Sequence, residues 1–331
     1  MVDSGGGGGG GSGTVAPQPL VSVVIATYNR RDLVPECIGS VLAQTFGDFE
    51  VLVIDDGSTD GTTELIRERF PEVRVVRQPN AERSAAFNHG IRIAQGRYVC
   101  FLADDDLFEP WHLAQFAEAW RRTPNAPIFA ARASFWDPDT GRTRPLQDFD
   151  PATVARDAVR VGTVVSPVCL FVERHILTEV GGFPEDRTLT GSEDWILLLK
   201  LVRHHAILRL DRPSVRVRQH AGQSMKNLRA ISDSREAATR QILDGLLGEP
   251  LDAEFRRLLQ AGTHRLVAAH RYGEGEMRDA RRSVREVIRL LGWRKGVRSA
   301  GRLWLQTWLG PAASLLARRV KQRLTWRRPP A

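Results

Sequence analysis

VSVVIATYNR, residues 21–30, opens on a nearly unbroken apolar and β-branched run, Val21 to Ala26, and ends on polar residues. Such a run marks a strand buried on both faces, the kind found in parallel sheets covered by helices. Outward from it, Asp32 to Leu42 sets Leu33, Cys37, Val41 and Leu42 at helical spacing. A second strand, Glu50 to Ile54, runs into Asp55-Asp56-Gly57-Ser58, and Asp60 to Phe70 reads as a helix. Val73 to Arg77 gives a third strand, Ser84 to Ala94 a helix, and Tyr98 to Leu102 a fourth strand that runs into Asp104-Asp105-Asp106. The alternation predicts an α/β fold with a mainly parallel sheet and helices on both faces. Ligands of such sheets bind outside the carboxyl ends of the strands. Thr27-Tyr28-Asn29, Asp55-Asp56 and the three aspartates all follow strands, so they are expected to face one crevice.

These clusters suggest chemistry. FLADDDLFEP, residues 101–110, sets three carboxylates in a row. Adjacent carboxylates repel unless a cation neutralises them, and Mg²⁺ or Mn²⁺ favours carboxylate oxygens together with substrate phosphates. The plainer reading is a solvated acidic loop that caps the helix beginning near Pro110. In VLVIDDGSTDGT, residues 51–62, Asp60 is placed to cap a helix, and Asp56 to accept hydrogen bonds from a nucleotide base or ribose. GSEDW, residues 191–195, puts Glu193 and Asp194 at the start of an apolar helix, whose positive end holds a carboxylate and lowers its pKa. Glu193 is the one expected to cap, and Trp195, next to Asp194, is the aromatic expected near a bound substrate.

VSVVIATYNR, VLVIDDGSTDGT, NAERSAAFNHGIRIAQG (residues 80–96), FLADDDLFEP and SEDW occur in this order over Val21 to about His220. Together they resemble the motifs of glycosyltransferase family 2, a GT-A nucleotide-diphospho-sugar transferase fold of inverting enzymes. The resemblance implies that Thr27, Tyr28 and Asn29 surround the nucleotide, that Asp56 binds its base and that Arg83 faces its diphosphate. It gives Asp104 to the ribose, and Asp105 and Asp106 to a divalent metal, Mn or Mg. Asp194 is the implied base that deprotonates the acceptor hydroxyl. His220, in a His-x-Gly-x-Ser-like stretch, is placed at the diphosphate or metal. The implied donor is a nucleoside-diphosphate sugar, UDP-linked as first choice, and the implied acceptor a saccharide or lipid-linked hydroxyl in surface polysaccharide or glycolipid assembly. One departure is Ala103, where relatives often carry an acid. It leaves open a catalytically silent nucleotide-sugar-binding or membrane-scaffold protein.

Other classes are disfavoured. No Gly-Lys-Ser/Thr phosphate loop is present, and no Gly-x-Gly-x-x-Gly follows Ala26, which argues against a nicotinamide dehydrogenase. No Gly-rich basic triphosphate signature follows the first strand, as a nucleotidyltransferase requires. Cys37, Cys100 and Cys169 are odd in number and set in apolar sequence, as free thiols of a reducing compartment are. No secretory signal is visible, so the expected location is cytoplasmic, at the inner face of the membrane if the tail attaches there.

The 331 residues suit one large domain with an appendage. Residues 1–19 are Gly-rich with Pro17 and Pro19, the composition of a disordered coil; 20–229 form the expected catalytic domain, and 230–331 a helical, basic C-terminal extension with helices near 252–268 and 276–291. The net charge of +8 is concentrated at the end, where 287–331 hold eleven Lys and Arg and no acid. No specific nucleic-acid site is expected from basic residues alone. Val297, Ala300, Trp304 and Trp308 fall on one helical face, with Arg294, Lys295, Arg298 and Arg302 around it, as in a helix lying on an anionic membrane. The alternative is that these tryptophans pack on the enzyme. Leu303 to Ala317 is too short to span a bilayer.

Overall fold

A computed structural model describes residues 18–146, 148–219, 227–248 and 250–308. The chain begins with β1 (Val21–Thr27), α1 (Val34–Leu42), β2 (Phe49–Asp55), α2 (Thr62–Arg69), β3 (Arg74–Arg77), α3 (Glu82–Ile93) and β4 (Tyr98–Ala103). Every residue of β1 is buried, as its unbroken apolar run requires. In α1, Val34, Cys37, Ile38 and Val41 recur at helical spacing and form the buried face. A Cβ on Gly90 would meet Val24 at 2.2 Å, so only glycine lets α3 lie this close to β1. The four strands pair in parallel in the order β3-β2-β1-β4, with Thr27 beside Asp55 and Ala26 beside Ala103. Connections leave β1 toward β2 on one side and arrive at β4 on the other, so the strand order reverses at β1. That reversal is where open α/β sheets form their ligand crevice.

The second half departs from a parallel sheet. It contains β5 (Leu107–Phe108), α4 (His112–Arg122), β6 (Ile128–Trp136), β7 (Thr143–Pro145), α5 (Val154–Arg160), β8 (Leu170–Glu173), α6 (Arg174–Glu179), α7 (Glu193–Val202) and β9 (Ile207–Arg218). The full order is β3-β2-β1-β4-β8-β6-β9-β5, with β7 on the flank of β6. β8 runs antiparallel to both β4 and β6, whereas β9 is parallel to β6. The expected mainly parallel sheet therefore holds for β1 to β4 and becomes mixed beyond them. Antiparallel neighbours need no helical crossover, so short strands such as β8 join the sheet without the strand-helix rhythm that marks the first half.

The amino-terminal ends of the strands are tied together. Ser22 donates its hydroxyl to Glu50, Gly96 N–H donates to Ser22 Oγ at 2.8 Å, and Gln95 N–H donates to Glu50 Oε1 at 2.6 Å. This rim carries the sheet register, and the opposite rim carries the polar clusters.

The helical extension is present as α8 (Leu228–Leu243), α9 (Ala253–Gly273), α10 (Met277–Leu291) and a helix over 293–308. Asp252 caps α9 by accepting from Phe255 N–H at 2.7 Å. Ala238, Ile242, Leu251 and Leu259 join the apolar core of the sheet, whereas Ala268, Val284, Val287 and Ala300 form a small separate core. Among the described residues no helix is long and apolar enough to cross a membrane.

Candidate active site

The carboxyl ends of β1 and β2 form one wall of the crevice. Asp56 N–H donates to Thr27 O at 2.9 Å, extending the parallel ladder past the strands. The chain then turns at Asn29, in the left-handed region at φ 51. Asn29 N–H donates to Ser58 Oγ at 2.9 Å, and its Oδ1 accepts from Thr59 N–H at 2.8 Å, so its polar groups brace the two loops. Asp55 accepts from Ser58 N–H at 2.8 Å and from the Thr63 hydroxyl, while Asp60, expected to cap α2, accepts from Thr62 N–H at 3.0 Å one residue ahead of the actual N-cap, Gly61. Asp56 is buried and accepts from Gln78 Nε2 at 2.8 Å and Ala81 N–H at 2.9 Å. Tyr28 is 48% exposed at the mouth, while Thr27 is buried beneath it. Thr27, Tyr28, Asn29 and Asp56 thus share one strand-end surface, as their positions in the sequence imply.

The aspartates after β4 form the floor. Burial pushes Asp104 up to about 6, with the neighbouring Asp105 adding to the rise, while Thr27, Arg30 and the Tyr28 amide oppose it. Asp106 is pushed up to about 8 by burial and then by Asp105. One Asp106 oxygen accepts from Arg218 N–H at 3.0 Å, and Arg218 Nε donates to Asp105 O at 2.8 Å. Arg218 also pairs with Glu36 and lies 4.6 Å from the Trp136 ring centre. This buried arginine, which the sequence reading did not single out, holds the acidic loop against β9. Its only signal was its place two residues before His220, which itself lies outside the described residues.

Arg83 and α7 close the site. Arg83 Nη2 donates to Glu193 Oε1 at 2.6 Å, and Gly191 N–H donates to the other Glu193 oxygen. Although burial works to lower the Arg83 pKa, the carboxylates of Asp194, Glu193 and then Asp105 raise it. The start of α7 thus contacts the half-exposed Arg83 through Glu193, and the charges of Asp194 and of Asp105 in the β4 loop act on the same guanidinium. Asp194 is raised to about 6, by burial first; Arg83 opposes the rise and Glu193 adds to it. The helix-end argument predicted a lowering, but desolvation outweighs the dipole here.

Trp195 is not an acceptor platform. It is buried, donates from Nε1 to Ala158 O at 2.8 Å and carries the Arg235 guanidinium 3.5 Å from its ring centre. One residue along a helix turns by about 100°. With Asp194 toward Arg83, Trp195 turns into the core.

Among the described residues no group of three His, Cys, Asp or Glu side chains forms a metal cage. The carboxylates of the β4 loop instead suit a cation of the Mg²⁺ type, which binds through one or two protein carboxylates and completes its shell with phosphate oxygens and water.

Residues 22–178 match the family described as Glycosyl transferase family 2. TuaG of Bacillus subtilis, named as a teichuronic acid biosynthesis glycosyltransferase, is 30% identical over 189 residues, which cover 55% of this chain and 73% of TuaG. The chain belongs to glycosyltransferase family 2. An Escherichia coli chondroitin synthase is 39% identical over 102 residues, but these cover 30% of this glycosyltransferase and only 15% of the synthase. Residues 1–349 of S. aureus TarS, solved with UDP-GlcNAc, share the fold at a TM-score of 0.59 and 17% identity, covering 86% of this chain and 89% of that one. The Pyrobaculum calidifontis mannosyltransferase PcManGT, solved with GDP-Man and Mn²⁺, does so at 0.51 and 20% identity, covering 93% and 81%. These likenesses establish the GT-A fold, and membership of the family makes the chain a transferase.

Proposed function

We propose that this glycosyltransferase moves a sugar, with inversion, from a nucleoside-diphosphate donor, UDP-linked as first choice, to a hydroxyl of a surface polysaccharide or glycolipid acceptor. The observation that carries this reading is Arg83, hydrogen-bonded to Glu193 at the start of α7 and under the charges of Asp194 and of Asp105 in the β4 loop. The donor lies across the ends of β1, β2 and β4. Asp56 and Tyr28 hold the base, Thr27 and Asn29 shape its pocket, and Asp104 meets the ribose.

Asp105 holds the divalent cation, with Asp106 and His220 as further candidates; Asp106 already gives one oxygen to the Arg218 amide. When bound, the cation neutralises charge on the diphosphate as it leaves. Arg83 supplies a second, fixed positive charge on the same side. Asp194 accepts the proton of the acceptor hydroxyl, whose oxygen forms the new bond to the anomeric carbon as the bond to the diphosphate breaks on the opposite face. A carboxyl raised toward neutrality is a stronger base than an ordinary aspartate and remains largely ionised at pH 7. The work takes place in the cytoplasm, where nucleotide sugars are made.

Isothermal titration of the full chain with a panel of nucleoside diphosphates, with and without Mn²⁺, tests the reading. One nucleotide is expected to bind in a metal-dependent way, with the dependence lost in Asp105→Ala. If no nucleotide binds in either condition, the silent-scaffold alternative replaces this one.

A further inference from the structure

The helix over 293–308 lies at the edge of the extension with one face against α10 and another open. Ala300 and Thr307 are buried against the molecule, and a Cβ on Gly296 would meet Ile288 at 2.5 Å, so the helix is seated closely on α10. Ala300, read from the sequence as part of the outward stripe, therefore faces inward. The outward stripe is Trp293, 73% exposed, with Val297, Trp304 and Trp308. At 3.6 residues per turn these four fall within about 60° of the helix circumference. Trp293 and Trp308 are more than half exposed. With Val297 and Leu305 on the same helix, the tryptophans account for most of the large apolar side chains exposed among the described residues.

The charge around the stripe has one sign. Arg294, Arg298, Arg302 and Lys295 follow it around the helix, and 293–308 contain no acid. On its other flank Arg281 of α10 lies 4.1 Å from the Trp308 ring centre and donates to Thr307 O at 2.7 Å. A groove at the start of the helix is lined by Arg257, Arg294 and Lys295, with Glu254 as its one acid. A row of tryptophans bracketed by cations matches the boundary of an anionic bilayer, where indole rings sit at headgroup depth and Lys and Arg meet lipid phosphates.

We propose that the open face of the 293–308 helix, with Arg281 of α10, is a docking surface for an anionic lipid bilayer, on which the enzyme lies without spanning it. The charge complementarity selects lipid over a second copy of this chain, whose matching face would bring the same cations together. The surface is separate from the crevice and does not depend on which donor that crevice takes.

The test is flotation of the full chain with vesicles of phosphatidylcholine alone or with roughly one third phosphatidylglycerol. The expected result is binding to the anionic vesicles, at least about tenfold weaker on the neutral ones. Trp304→Ser with Trp308→Ser is expected to lower binding at least about tenfold while the melting temperature holds, because both rings are exposed. Bromine-labelled lipid should quench tryptophan fluorescence in the wild type more than in that variant. A second variant, with Arg318, Arg319, Lys321, Arg323, Arg327 and Arg328 changed to Gln, separates this surface from the basic end of the chain. If binding survives the Trp changes but vanishes in the Gln variant, the proposal falls. It also falls if the wild type ignores anionic vesicles, or forms dimers that the Trp changes dissociate. Nucleotide titration of the same samples reports on the crevice, so failure of one reading leaves the other measurable.

Discussion

Replacing Asp194 by Asn removes the proposed base while keeping its size and an oxygen that faces Arg83. Loss of a positioned general base costs about 10²- to 10⁴-fold, so kcat is expected to fall by that factor, about 3 to 5 kcal/mol of barrier. The KM for donor should change little, because the amide touches neither the base nor the ribose. The pH profile sharpens the test. Burial raises the Asp194 carboxyl to about 6, and only its ionised form accepts a proton. Wild-type kcat/KM should therefore fall as pH drops through 6, reaching about a tenth of its plateau at pH 5. Asp104, also raised to about 6, lies at the donor site and would produce the same limb. The residual rate of Asp194→Asn separates the two: it should lack the limb near 6 if Asp194 causes it. Initial rates of sugar transfer, followed by release of the nucleoside diphosphate, provide the assay. A variant within about tenfold of wild type, or one that keeps the acid limb, would refute the assignment.

Trp195→Phe should lower stability by about 1 to 3 kcal/mol, through loss of the Nε1 bond to Ala158 O, and leave the KM for acceptor unchanged; a raised KM with an unchanged melting temperature would return the indole to the acceptor site. Gly96→Ala would bring a Cβ to 2.4 Å from the Ser22 backbone nitrogen, and should cost at least about 1 to 3 kcal/mol, seen as a lower urea midpoint at constant slope. An unchanged midpoint would mean that the rim yields.

The first four strands were legible because each is an apolar run closed by turn or acidic residues, and the same punctuation located the strand-end clusters. The later strands were not. β8 has four residues and β5 two, too short for periodicity to register, and their antiparallel partners are set by the sheet already formed. Within the site, Asp56, the β4 aspartates and Asp194 were marked by their motifs. The arginine that organises the acidic loop was not, since Arg218 lies 112 residues from Asp106 and 182 from Glu36. The direction of the Asp194 shift was misread for a related reason. A sequence shows the helix end, but the desolvation that overrides it comes from tertiary packing. Trp195 was misplaced because adjacency along the chain was read as adjacency in space, whereas a helix sends neighbours to different faces.

The tied rim at Ser22, Glu50 and Gly96 has a meaning for how this enzyme can diverge. Strand register is tied at the end of the sheet away from the crevice, so an exposed side chain at the other end, such as Tyr28, is free of that duty. A lineage could exchange the exposed Tyr28, and so alter its hold on the nucleotide base, without first repairing its scaffold. Substitutions at one rim would be removed by selection as misfolded protein, and those at the other retained or lost according to the transfer they support.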